Sequence, residues 1–487
     1  MAVDSARRVT GYTVLILLVI FASVSAQSEY NLPALKIEVF KPKGYKLSLP
    51  YIPNLLLYIF RGNINKPIDT DSTAFGTISG QLAQVPNGRF EYEDRETQLK
   101  LGDVINYYLM VSVAGFDTFV ENNLSYTVTE LKDRNAGRPM KCLPTITRVR
   151  EGKACGGQVI FEDDFSTFKE DMWQIENYIP ISSHPEHPFV SYQDLIYEPV
   201  VTVYNGSLKI TPILQERINN FDNDTIALGE LDFDKQSGCT SRGEECYRKA
   251  SGADILPPIV SGRITSPKFA FTYGKVHIRA KLPQGDWLYP ELLLEPFLKK
   301  YGSFDYASGV LKIASALGNK ELKSGSNVYG NEVLYGGPIM DAQCRQQLLG
   351  KRVLEYGQWG DDFLDYSLTW TPQHISLSVN GEEWAHITAG KGLHARLPRT
   401  CKNLPRSKLE QGEAIAPFDD HFYITLGVAA GGITEFPDNS FSTGGRPKPW
   451  RNSGRRGMHS FWEDLPAWHG TWTRPELLVD HIKVIAL

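Results

Sequence analysis

From Leu35 onward the apolar residues of this chain fall in short runs that alternate with polar ones, and none keeps a helical period for long. Alternation of this kind puts successive side chains on opposite faces of a pleated strand. The runs cover residues 35–40, 45–49, 55–60, 89–92, 104–113 and 124–128, and later 274–282, 366–370, 375–379, 422–428 and 479–485. Gly, Pro or Asn separates several of them, as at Pro86-Asn87-Gly88. Residues 332–349 are too broken to form a convincing helix. Many short strands with turn signals between them specify an all-β chain of sandwich type.

At 487 residues the chain exceeds a single ordinary core. Four segments are expected. Residues 1–26 read as a signal peptide: Arg7 and Arg8 precede an apolar run over 12–24, and Val24-Ser25-Ala26 offers small residues for cleavage. The run is shorter than the roughly 20 residues of a spanning helix. A retained signal anchor is the rival reading. Residues 27–131 form a small β-domain. Residues 132–157 are basic, carry Gly and Pro and read as a linker, and 158–487 form a larger β-domain. No internal repeat and no second membrane span is evident.

A secreted chain gives its six cysteines a role. Cys142, Cys155, Cys239, Cys246, Cys344 and Cys401 are even in number and lack metal-ligand spacing. Only a short polar turn separates Cys239 from Cys246, which favours that bridge, and proximity pairs Cys142 with Cys155 and Cys344 with Cys401. Asn123, Asn205 and Asn223 stand in N-x-S/T sequons and are candidate glycosylation sites. The net charge of −5 excludes a typical nucleic-acid binder, which needs a basic face to displace counterions.

The larger segment carries a set of ordered landmarks. They run from Phe161-Glu162-Asp163-Asp164-Phe165 and Trp173 through Gly262-Arg263-Ile264-Thr265-Ser266 and residues 271–283. Gly285-Asp286-Trp287-Leu288-Tyr289-Pro290 and Lys448-Pro449-Trp450 follow. In this order they resemble glycoside hydrolase family sixteen, the laminarinase-like β-glucanases. The resemblance implies a large concanavalin-like, glucanase-type curved β-sandwich with a groove on its concave face. It also implies a strand of the form Glu-x-Asp-x-(x)-Glu, whose alternation directs the acids of a retaining mechanism into that groove. Here those positions hold Val310, Lys312 and Ser315.

Valine has no nucleophilic atom, serine without a partner base is no acid near neutral pH, and lysine reverses the sign of the helper aspartate. Catalysis is therefore not expected. An active glucanase with relocated acids would have to use Glu291 or Glu295 on the preceding strand. Trp287 and Tyr289 are candidates to stack on pyranose rings. Trp450 and Trp462 lean towards structural roles. Leu364 stands where active relatives often carry histidine. A calcium site like that of some relatives would draw on Glu162 and Asp480, although no metal or other cofactor is called for.

The smaller segment resembles carbohydrate-binding module family thirty-nine, an immunoglobulin-like glucan-binding β-sandwich. The resemblance rests on residues 41–50, on Phe60-Arg61-Gly62-Asn63-Ile64-Asn65 and on residues 87–95 followed by Leu101-Gly102-Asp103. It makes Phe90, Tyr92, Asp94 and Arg95 candidate sugar contacts, with Phe90 where a Trp is usual. The loop Tyr51-Ile52-Pro53-Asn54 lacks the acidic residues of relatives. Together the two segments resemble the insect β-1,3-glucan recognition proteins, also called Gram-negative bacteria-binding proteins. That resemblance implies a haemolymph receptor for β-1,3-glucan or another microbial wall polysaccharide. Its implied partner is a serine protease upstream of Toll signalling or prophenoloxidase activation. An adaptor whose groove has drifted to protein ligands is the remaining alternative.

Overall fold

The structure is a computed structural model that describes residues 32–68, 76–85, 88–115, 118–133, 142–181, 184–218, 221–236 and 238–487. The expected signal peptide lies outside the described residues. The chain divides into two compact units, residues 1–141 and 142–487. No helix among the described residues is long and apolar enough to cross a membrane.

In the small unit the alternating runs become two antiparallel sheets. One contains the strands Lys36–Lys41, Tyr45–Leu49 and Phe90–Asp94, and the other Leu55–Ile64, Val104–Val113 and Phe119–Thr127. Tyr45, Leu47, Leu49, Phe60, Ile105 and Val111 are buried from water between them. Lys132–Asp133, expected within the linker, pairs in parallel with Phe40 and Lys41 and extends the first sheet.

The large unit is a β-sandwich of a nine-stranded and an eight-stranded sheet. The first is built around Leu288–Pro296, Val310–Ser315, Val333–Ile339 and Phe422–Ala430. The second is built around Gly274–Lys281, Leu364–Trp370, His374–Val379 and Leu477–Ile485. Leu292, Leu294, Leu311, Ile313, Ile424 and Leu426 form the inner layer of the nine-stranded sheet and are closed from solvent. Trp370 and Leu377 meet them from the opposite sheet. The sheet's other face carries the polar residues that matter below.

Residues 142–157, also expected as linker, pack on this unit. Arg148–Val149 pairs with Phe271–Thr272, and the amide of Gly157 donates to the Ala486 carbonyl. The backbone groups of this basic stretch find partners on a sheet edge, which composition alone does not reveal. The three disulfides are Cys142–Cys155, Cys239–Cys246 and Cys344–Cys401, the pairs that proximity favours. Asn123, Asn205 and Asn223 are all exposed, with Asn205 in the left-handed turn of a hairpin.

Candidate functional site

The outer face of the nine-stranded sheet of the large unit holds a cavity of about 380 Å³. Its floor is written by alternation. On Leu288–Pro296 the odd positions Glu291, Leu293 and Glu295 face outward, opposite Gly427, Thr425 and Tyr423 of the neighbouring strand. Arg263 lies across Gly427 from Glu291. A Cβ at Gly427 would come within 2.6 Å of Glu291 Oε2 and 3.3 Å of Arg263 Cγ, so glycine there lets the two side chains meet.

Arg263 is 3% exposed and links the two acids. One arm reaches Glu291 at 3.0 Å, and the other pairs with Glu295. The Tyr192 hydroxyl donates to Glu291 at 2.8 Å, and the Thr425 hydroxyl donates to Glu295. Burial pushes the Glu291 carboxyl above the usual range, although Arg263 and Tyr192 oppose it. At Glu295 burial acts the same way, but Arg263 and Thr425 outweigh it and hold the group below its ordinary value. On the cavity wall His184 lies 3.0 Å from the Tyr178 hydroxyl, and burial with the charge of Arg263 lowers it to about 4. Two threonine hydroxyls, from Thr240 and Thr265, each donate at 2.6 Å to Glu176. These acids already have donors.

Val310, Lys312 and Ser315 are buried on the adjacent strand. Val310 packs in a small apolar cluster with Leu293, Tyr306 and Ile339. Lys312 donates at 2.9 Å to Glu435, which also accepts from Arg345. Glu186 completes the group, 3.7 Å from Arg345 and bonded by the Tyr306 hydroxyl. Burial disfavours the charge on Glu435, but Arg345 and Lys312 outweigh it and lower its pKa to about 2.

Glycines place Glu435. Gly431 and Gly432 adopt positive φ after the Phe422–Ala430 strand, and a Cβ on Gly431 would strike the Phe189 ring at 2.3 Å. Lys448 then fixes the loop through the Phe436 carbonyl at 3.0 Å and Asp438 at 2.8 Å. Arg345 follows the turn held by Asp341 and the Cys344–Cys401 bridge.

Two pairs of stacking candidates require correction. Trp287 and Tyr289 are each 2% exposed and present no face to a ring. Trp287 meets Phe436 and Trp450 edge-on, and Tyr289 meets Phe436 in the same way. In the small unit, Phe90 and Tyr92 point into the sandwich. Tyr92 lies over Gly80 of the facing sheet so closely that a Cβ there would approach its ring to 2.4 Å. Asp94 holds a turn through the amides of Glu96 and Thr97 at 2.8 and 2.7 Å. Arg95 is exposed and pairs with Glu93 at 3.2 Å. The alternation was plain in the sequence. Which of its two faces met the core was not.

The calcium candidates Glu162 and Asp480 each stand beside a basic side chain. Glu162 pairs across strands with Lys483 at 3.0 Å, and Asp480 lies 3.1 Å from His481.

The family profile CBM39, described as a carbohydrate binding domain (family 32), matches residues 31–140. Over 480 residues the chain is 51% identical to "Beta-1,3-glucan-binding protein" of Hyphantria cunea, covering 96% of this chain and 98% of that one. It belongs to the β-1,3-glucan-binding protein family. Gram-negative bacteria-binding protein 1 of Drosophila melanogaster is also similar, 32% identical with 97% of this chain and 98% of that one covered. Among solved structures, the laminarinase catalytic domain of Thermotoga maritima aligns with 68% of this chain and 98% of its own at 18% identity and a TM-score of 0.42.

In this member of the β-1,3-glucan-binding protein family, one surface aromatic of the small unit escaped the sequence reading. Tyr51 is 59% exposed and stacks on Phe90, with ring centroids 6.4 Å apart and planes within 17°. Its position after Leu49-Pro50, where the chain leaves a strand, was the available signal.

Proposed function

We propose that the chain recognises β-1,3-glucan, or a related microbial wall polysaccharide, without hydrolysing it. The observation that carries this reading is the state of the strand Val310–Ser315. Its three groove positions are occupied by Val310, Lys312 and Ser315, and Lys312 is tied to Glu435. No carboxylate on that strand is available to attack an anomeric carbon or to protonate a leaving oxygen. The names of the relatives support glucan as ligand. On the small unit, the exposed face of Tyr51, backed by Phe90, is the surface best suited to cover a sugar ring. The family resemblance extends the proposal to a secreted, glycosylated haemolymph protein that recruits an immune serine protease.

One observation favours a second reading. Glu291 and Glu295 face one cavity with their pKa values displaced in opposite directions, an arrangement that glycosidases use to separate acid from nucleophile. Against it, Arg263 lies between them and saturates both. Incubation of the full chain with laminarin decides the matter. Retention on curdlan with no new reducing ends over hours is expected. Release of reducing ends that Glu291→Gln abolishes would replace this reading with the second.

A further inference from the structure

A second cavity opens at the other end of the strand Leu288–Pro296. The first is lined from that strand by Glu291, Leu293, Glu295 and Pro296, whereas this one, of about 740 Å³, is lined by Gln284, Gly285 and Asp286 ahead of it and by loops around Gly318, Gln358, Thr443 and Arg474. Its size falls within the range of small-molecule sites, about 300–1,000 Å³. Of the landmarks singled out in the sequence, Gly285 and Asp286 belong to it.

Its lining charges balance in sign, Arg446, Arg474 and Lys320 against Asp286, Asp361 and Glu321, and both arginines are paired. Arg474 reaches Asp361 at 3.1 Å, and Arg446 reaches Asp286 at 3.2 Å. A cavity built to hold phosphate or sulfate leaves its guanidinium groups unpaired for the anion; here both are occupied. Beside these charges stands a set of oriented polar groups. The Gln284 amide donates to Gln358 at 2.8 Å and to Asp361 at 3.0 Å, which fixes the planes of all three side chains. The hydroxyl oxygen of Thr443 is closed from bulk water and has no hydrogen-bond partner. Such a group costs stability until water or a ligand completes it. Tyr356, next in sequence to the lining residue Gly357, is 84% exposed.

We propose that this loop-end cavity is a second saccharide site, taking a short stretch of a neutral, polyhydroxylated chain. Fixed amides, carboxylates and hydroxyls bond its hydroxyl groups, and Tyr356 covers an apolar ring face. Its lining residues all belong to the large unit and are distinct from those of the groove cavity.

Hydrogen exchange of the full chain, with and without millimolar laminaritetraose, tests this. Slowed exchange is expected over residues 354–361 and 471–474. The apparent affinity read from that protection should fall at least tenfold in Tyr356→Ala and in Thr473→Arg, two exposed positions where neither change disturbs the core. Retention on curdlan through the small unit should persist in both. Absence of protection at these segments while curdlan is still bound overturns the second site and leaves the functional proposal standing. Protection by inorganic phosphate but not by the tetrasaccharide overturns the neutral-ligand assignment. Failure of the full chain to bind curdlan at all counts instead against the functional proposal.

Discussion

Lys312 shows how one side chain can close a site. Facing outward from a fully buried strand, it needs a counter-charge, and Glu435 provides one at 2.9 Å. Removing one member of a buried pair costs about 3–5 kcal/mol when the other is left alone. Because Arg345 remains beside Glu435, Lys312→Met should cost less, about 2 kcal/mol near neutral pH. The pH dependence follows from the direction of the shift. Glu435 titrates at about 2 in the fold against an ordinary 4.5, so its contribution is complete above pH 4.5 and lost as pH falls through 2. Glu186 and Glu291 shift upward, so their contributions have the opposite sign, present at low pH and fading as pH rises. Urea midpoints measured from pH 7 to pH 2 should therefore show a gap between wild type and Lys312→Met that narrows below pH 4.5. A gap of constant size would mean that the pair does not set the Glu435 pKa. That no carboxylate stands at Val310, Lys312 or Ser315 could be read from the sequence. The ion network there could not, because Glu186, Arg345 and Glu435 lie far apart in the chain.

Strands and bridges were more legible than the directions their side chains take. Alternation in residues 89–92 and 274–282 marked strands correctly. It could not tell that Phe90 and Tyr92 turn inward, because both faces of that strand carry side chains able to bury or to bind. Local pairing succeeded for the disulfides because each bridge joins cysteines adjacent in order along the chain. Their sequence separations of 7, 13 and 57 residues set an expectation for stability. If restriction of the unfolded chain dominates, breaking Cys239–Cys246, Cys142–Cys155 and Cys344–Cys401 should cost about 2, 3 and 4 kcal/mol respectively. Double Cys→Ser variants compared by chemical denaturation would give that order. A larger loss from the Cys239–Cys246 pair than from Cys344–Cys401 would show that local packing, not loop length, controls the bridges.

Across the whole molecule, two units have separate cores, and the proposed function assigns them unequal shares of recognition. The large unit's groove contains acids and bases that already bond one another, and its expected stacking residues are buried. A polysaccharide entering there would have to displace hydrogen bonds made within the protein, with little aromatic surface in return. The small unit instead exposes Tyr51 over a buried ring, an apolar face open to a sugar ring. Fragments that test this should be cut between residues 141 and 142. A cut at 131 would strip Lys132–Asp133 from its sheet, and one at 157 would remove the Cys142–Cys155 bridge and the Arg148–Val149 pairing. Fragment 27–141 should retain on curdlan at least ten times more tightly than fragment 142–487, and Tyr51→Ala should remove most of that advantage. The loop-end cavity proposed for the large unit adds a weaker contact, visible with oligosaccharide at millimolar concentration. Equal retention of the two fragments would make the large unit a principal reader of the polymer, and would require its ion network to open when sugar binds.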